Sequence, residues 1–322
     1  MRERSDASDA DADADAGTDP DVQVAQVRRF NRVVTERVGV LQERFHGTDR
    51  PYGQARLLWE IGGAGQAEAE GPLDVRKLRD LLGLDSGYVS RLLRALEADG
   101  LVVVEPLERD RRVRTARLTE RGREEWALLD RRSDEAAGSL LAPLNTAQRA
   151  RLVAAMAEVD RLLTAGTVTL DDVPPDHPDA ELCLRGYFAE VQERFDTGFD
   201  PARSLLPDAG ELAPPRGQFV VARLHGEPVG CAGLKLPPGG AAEVKRMWVA
   251  PKARGLGLAR RFLTELEARA VRHGAELLRL DTNKALHEAI GLYRKFGFEE
   301  VEAFNDEPYA HLWFEKRLRP TG

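Results

Sequence analysis

The stretch WVAPKARGLGLARRFL, residues 248–263, sets Gly255, Gly257 and Ala259 between Arg254 and the pair Arg260–Arg261, just before an apolar pattern of helical period. Small residues let a backbone come close to a partner, and arginines flanking a helix start suit an anionic one. Two glycine signatures are eliminated by position. The dinucleotide fingerprint G-x-G-x-x-G needs glycine where Arg260 stands, and the P-loop needs a following G-K-[S/T] that is absent here. What remains is Arg-x-x-Gly-x-Ala, from Arg254 to Ala259, between a predicted strand and a predicted helix. Amides laid bare there converge on a pyrophosphate, and the helix dipole favours its charge. Taken alone, the same six residues also describe a tight turn.

Working outward, the strand AEVKRMWV (242–249) precedes the loop, and QFVVARLHG (218–226) and PVGCAGLKL (228–236) read as strands before it. After the loop helix come a strand AELLRLDT (275–282), a helix over 285–296 and C-terminal strands including AHLWFEKRL (310–318). A strand near 167–170 and a helix over 178–195 open the series, and this alternation predicts an α/β domain over 167–322. The Pro- and Asp-rich segment TAGTVTLDDVPPDHPD (164–179) marks a junction at about 165–180.

The first half reads differently. Residues 1–20 carry seven acids and two arginines, a net −5, without a branched apolar or aromatic residue, which predicts a disordered acidic tail. Asp19-Pro20 suits a helix start, and Val27, Phe30, Val34, Val38, Leu41 and Phe45 recur at helical spacing. RPYGQARLLWEI (50–61) reads as a second helix closed by GGAGQAEAEG (62–71). Helices over Val75–Leu82 and Ser86–Ala98 follow, joined by a turn at Gly83–Asp85, the second ended by Gly100. Strands Leu101–Val104 and Val113–Leu118 flank the charged loop ERDRR (108–112), and helices Thr119–Leu141 and Asn145–Leu163 begin at natural N-caps.

On the helix Ser86–Ala98, Val89, Leu92, Leu93 and Leu96 share one face, and Gly87, Arg91, Arg94 and Ala98 the opposite one, with Ser90 beside them. An outward face of small residues and arginines suits the major groove, where arginine donates two hydrogen bonds to guanine. A solvated arginine face is the other reading of the helix alone. The hairpin favours the groove, because seven arginines against two acids lie between Arg109 and Arg123. Such a local basic patch, rather than the whole-chain net charge of −7, is what nucleic-acid binding requires.

Composition bounds the rest. At 322 residues, 42% hydrophobic and 31% charged, the chain has room for two ordinary globular domains. Its apolar runs all fall short of the roughly 20 residues that cross a bilayer. The only cysteines, Cys183 and Cys231, suit a reducing cytoplasm, and six scattered histidines suggest no metal site.

The order of helix, helix-turn-helix, DRR wing and LTERG opening a long helix resembles the MarR family of winged-helix regulators over about residues 21–164. The resemblance implies a homodimer, formed by the first helix and the last two, that reads pseudo-palindromic double-stranded DNA. Its DNA contacts map onto Ser86, Gly87, Tyr88, Ser90, Arg91 and Arg94, with the wing at Arg111 and Arg112.

AEVKRMWVAP before the glycine loop and LYRKFGFEEV after the next strand resemble the GNAT acetyltransferase fold, from about Thr167 to Leu318. The implied donor is acetyl-CoA, with Met247, Trp248 and Val249 along pantetheine and Arg254, Gly255, Leu256, Gly257, Leu258 and Ala259 at the pyrophosphate. Tyr293 is then the implied acid for the departing thiolate. Glu243 admits two readings, a base for the acceptor amine or a partner in an ion pair with Lys245 or Arg246. The family pattern places Asn seven residues before the Tyr, whereas this chain has Leu286, and Asn283 is the candidate to take over pantetheine contact.

Together these features predict an all-α winged helix-turn-helix domain with a β-hairpin wing, followed by an α/β GNAT acetyltransferase fold. They resemble MarR–GNAT fusions, which implies a cytoplasmic, metal-free homodimer that binds DNA and acetylates an unidentified amine. Two narrower readings stay open: a regulator that only senses acetyl-CoA, and an acetyltransferase that uses the winged helix as a scaffold.

Overall fold

The computed structural model describes residues 19–38, 50–66, 72–107, 110–196, 198–204 and 209–319. The predicted acidic tail, apart from Asp19 and Pro20, lies outside these residues, as do Leu41, Phe45 and the loop positions Glu108 and Arg109. The chain divides into two compact units, Met1–Arg151 and Leu152–Gly322. Among the described residues no helix is long and apolar enough to cross a membrane, and no group of three or more His, Cys, Asp or Glu could hold a metal ion.

In the first unit α1 spans Pro20–Val38 and begins where Asp19 Oδ1 accepts from Asp21 N at 2.9 Å. Helix α2, Tyr52–Gln66, continues through the glycines expected to close it. The reason is packing. A Cβ on Gly62 would overlap the Trp126 indole, whose Nε1 donates to Trp59 O at 3.1 Å, so the glycine admits a neighbouring helix instead of ending its own.

A two-residue strand β1, Leu73–Asp74, was not expected, being too short to show alternation, and pairs with the wing. Helix α3, Val75–Leu82, is capped by Asp74 and stopped by Gly83 in the left-handed region, φ 62°. Helix α4, Ser86–Ala98, is capped by Asp85, whose Oδ1 accepts from Tyr88 N at 2.9 Å. Strands β2, Val102–Leu107, and β3, Asp110–Leu118, form the hairpin, and the sheet order is β1-β3-β2.

Thr119 Oγ1 starts α5, Glu120–Leu141, by accepting from Gly122 N at 2.9 Å. Asn145 and Gln148 cap α6, Thr146–Thr167, reciprocally, side chain to backbone at 2.9 and 3.0 Å. The core of this unit gathers Leu57, Leu58, Leu78, Leu93, Leu96, Leu101 and Leu129, each contributing about 1.5–3 kcal/mol by burial.

The second unit is a seven-stranded sheet of order β4-β5-β6-β7-β8-β10-β9. Its strands are β4 Thr169–Asp172, β5 Gly217–Leu224, β6 Glu227–Lys235, β7 Ala242–Val249, β8 Leu277–Thr282, β9 Glu299–Val301 and β10 Leu312–Arg317. Helices α7 Pro178–Arg194, α8 Leu258–Arg272 and α9 His287–Lys295 complete it. Phe262, Leu263 and Leu266 of α8 bury against Val220, Leu234, Leu280 and Phe314 of the sheet.

Two irregularities interrupt the middle of this sheet. The parallel strands β7 and β8 pair only at Ala242↔Leu278 and Glu243↔Arg279, so their later halves are left without mutual ladder bonds. The β6–β7 register also shifts between Cys231 and Gly233, and Arg246, at that bulge, adopts φ 52°. A bulge re-aims side chains and bends its strand, and here it lies beside the opening between β7 and β8.

Candidate functional site

Two adjoining clefts open where β7 and β8 part. The larger, of about 250 Å³, is walled by Met247, Trp248 and Val249 of β7, by Arg254 and Ala259, and by Leu292 of α9. The smaller, of about 100 Å³, runs under β7 and β8 and carries Lys245, Arg246, Asp281 and Glu307. Tyr187, Met247, Leu286 and Tyr293 line both, so Tyr293 stands at the shared wall.

Tyr293 is 7% exposed and packs obliquely on Phe298 and Phe314, with ring centroids at 6.0 and 5.9 Å. Burial pushes its phenol well above the ordinary tyrosine value, as do the negative charges expected at Tyr187 and Asp281. It therefore stays protonated and is suited to give a proton rather than take one. Tyr187 is raised in the same way, first by burial and then by Asp281.

The glycine loop is the turn expected of it. Gly255 and Gly257 take φ 82° and 73°, where an L side chain is strained. Gly257 precedes α8 without a side-chain cap, so a ligand can reach the first-turn amides, and a Cβ built on it meets nothing within 4 Å. Arg254 and Ala259 face the larger cleft, whereas Gly255, Leu256, Gly257 and Leu258 are not among the residues walling it. Leu258 is buried in the core.

The flanking arginines have distinct tasks. Arg261 donates to Ala165 O and Val168 O, both at 2.9 Å, tying the end of α6 to α8, and Arg260 lies over Phe296. Arg254 is held by Glu190, Nη2 to Oε2 at 2.5 Å, and the same oxygen accepts from Trp248 Nε1 at 2.8 Å. Glu190 escaped the sequence reading because it lies on α7, 58 residues before Trp248, and belongs to no motif.

Glu243 does not line either cleft. It is 8% exposed, accepts from Arg279 Nη2 at 2.9 Å and lies 3.5 Å from Lys245 Nζ. The ion-pair reading describes its position, with Arg279 where Arg246 had been considered. Asn283 lines the smaller cleft, but its amide donates to Tyr309 O at 2.8 Å and accepts from Ala285 N at 2.9 Å, which ties the turn after β8 to the 309 region. Asp281, Glu307, Arg246 and Tyr187 were also missed, since only the parting of the strands brings them together.

In the first unit α4 buries Val89, Leu92, Leu93 and Leu96 as its spacing predicts and leaves Ser86, Gly87, Arg91 and Arg94 exposed, with Tyr88 and Ser90 half-buried. The Arg91 guanidinium lies 5.5 Å from the centre of the Tyr88 ring, and Arg94 donates to Ser90 O. Arg111 and Arg112 are exposed on the wing, where Asp110 braces Arg112 at 3.3 Å. One helix and one hairpin thus present an outward cationic face.

A model of the acetyltransferase (GNAT) family matches residues 184–298, and one of the MarR family matches residues 46–113. A protein described as IAA acetyltransferase from Azospirillum brasilense is 39% identical over 135 residues, which are 40% of this chain and 87% of that protein. An uncharacterised N-acetyltransferase of Schizosaccharomyces pombe is 31% identical over 143 residues, 44% of this chain and 86% of that one. A solved structure of a MepR–DNA complex from S. aureus is 20% identical at TM-score 0.35, covering 41% of this chain and 94% of that one. A glycine turn feeding a helix, a cleft between parted strands and a buried tyrosine at its floor thus meet relatives matched over most of their own length, and the chain belongs to the GNAT acetyltransferase family, with a segment matching the MarR family in its first unit.

Proposed function

We propose that the protein is a DNA-binding regulator fused to a working N-acetyltransferase. In this reading the second unit holds acetyl-CoA in the larger cleft. The thioester lies beside Tyr293, β7 from Met247 to Val249 lies along the pantetheine arm, and the first turn of α8 with Arg254 meets the pyrophosphate. The fit rests on a donor-sized apolar groove that ends at a helix start without a side-chain cap.

A neutral primary amine entering from the smaller cleft attacks the thioester carbon. The C–N bond forms and the C–S bond breaks, and Tyr293 protonates the departing sulfur. Tyr293 then regains the proton that the new amide nitrogen sheds. Holding both reactants in line supplies much of the acceleration, and the positioned acid contributes about 10²–10⁴-fold. The observation that carries this reading is the place of Tyr293, buried, protonated and shared by both clefts.

The first unit binds double-stranded DNA as a homodimer, α4 in the major groove and the wing arginines on the backbone or minor groove. Exposed Val27, Phe30 and Val34 on α1 supply an apolar surface for the pairing. Release of free thiol from acetyl-CoA, measured against a panel of amines, tests the enzymatic half. Tight acetyl-CoA binding without turnover on any amine would leave a sensor in its place.

A further inference from the structure

The smaller cleft has a charge pattern that narrows the acceptor, on the basis that the acetyltransferase reading holds. Lys245 Nζ bonds Asp281 at 2.5 Å and lies 3.5 Å from Glu243, which in turn accepts from Arg279 at 2.9 Å. Two cations and two carboxylates so cancel in one cluster at the root of β7 and β8. The cleft carries two further charges outside that cluster, Arg246 and Glu307, one of each sign.

Arg246 is placed there at a conformational cost. Among the described residues only His225, in the β5–β6 turn, and Arg246 are non-glycine with positive φ. A strained non-glycine residue costs on the order of 1–3 kcal/mol and persists where the surroundings over-determine it, typically at functional sites. The bulge turns Arg246 toward this cleft, beside Phe188, 5.9 Å from guanidinium to ring centre. Desolvation lowers the Arg246 pKa, so its charge gains from an incoming anion. Across the cleft, Glu307 holds the Ser204 hydroxyl at 2.9 Å and Tyr309 N at 3.2 Å, which fixes its carboxylate.

Between these charges the wall is aromatic: Tyr187, Phe195, Phe199 and Tyr309. Phe199 and Tyr309 lie 4.9 Å apart, and Phe195 lies 6.0 Å from each. The volume, about 100 Å³, corresponds to about seven to ten water positions and suits a small molecule.

We propose that the acceptor is a free amino acid with an apolar or aromatic side chain, its carboxylate on Arg246, its amine on the Glu307 side near Tyr293, and its side chain among the aromatic rings. The pairing of one cation and one carboxylate across an aromatic cleft matches a zwitterion, whereas a simple amine would leave Arg246 unused.

The test compares phenylalanine with 2-phenylethylamine, which lacks only the carboxylate, by thiol release at saturating acetyl-CoA. Phenylalanine should exceed the decarboxylated analogue at least about tenfold in kcat/KM, as expected when a charged hydrogen-bonding group is missing from its site. In Arg246→Gln that preference should fall toward one through a higher KM for phenylalanine, and Arg246→Lys should recover part of it. Acetyl-CoA titration by calorimetry on each variant reports folding and donor binding separately. Equal use of the two amines, preferred acetylation of a lysine-bearing peptide, or an unchanged preference in Arg246→Gln would overturn the proposal while the acetyltransferase reading stands. Absence of acetyl-CoA binding to the unaltered protein would overturn both.

Discussion

At the scale of a residue, Tyr293 shows how burial selects a chemical role. Water exclusion, with Phe298 and Phe314 against the ring, raises the phenol above its ordinary value of 10.0. A group so raised keeps its proton at every pH below the ordinary value, so it is an available acid throughout the physiological range. Tyr293→Phe should lower kcat by about 10²-fold and leave the acetyl-CoA Kd within about threefold, as removal of a positioned acid predicts. The same argument fixes the pH profile: no alkaline loss of kcat that disappears in Tyr293→Phe should occur below pH 10. Equal turnover in the variant, or such a limb near neutrality, assigns the proton to another group. The tyrosine was legible from its LYRKFGF context, but Glu190, which holds both Trp248 and Arg254, was not. Its importance comes from its neighbours in space, and sequence order contains none of them.

At the scale of an element, close approach decides which glycines are irreplaceable. Gly122 opens α5 directly against the Leu101 carbonyl, and a Cβ there would overlap that oxygen. Backbone cannot retreat as a side chain can, so Gly122→Ala should cost about 2 kcal/mol or more in a urea melt. A loss below about 0.5 kcal/mol would mean that the helix start moves freely. The wing makes a different kind of prediction. If Arg111 and Arg112 each neutralise a phosphate, replacing both with alanine should weaken DNA binding and reduce the log–log salt slope by about 1.8. Unchanged affinity and slope would take the wing out of the interface. Helix boundaries here were readable because caps are local: Asp74, Asp85, Thr119 and Asn145 each accept from an amide two or three residues on. The run of α2 through its glycines was not, since the Trp126 that needs the space comes from a distant helix.

At the scale of the whole molecule, each unit carries a function whose measurement does not depend on the other. On α1, Val22, Val24, Val27, Phe30, Val33 and Val34 are all exposed, a larger apolar row than a solvated helix needs. Under the proposed dimer, Phe30→Asp should shift the protein from dimer to monomer in light scattering at low micromolar concentration and weaken DNA binding at a two-fold site. It should leave acetyl-CoA affinity as it was. A protein that is already monomeric before substitution would remove α1 from that role.

Periodicity, caps and glycine spacing are properties of neighbouring residues, and the sequence alone therefore established the order of helices and strands, the reading helix with its outward arginines, and the anion turn at 254–259. The tertiary structure decided everything that depends on strands parting: the two clefts, Glu243 drawn into an ion pair away from them, and Arg246 turned inward by a bulge. The physical reason is range. Hydrogen bonding along a chain acts over a few residues, whereas the β7–β8 opening is set by which ladder bonds fail to form between segments more than thirty positions apart.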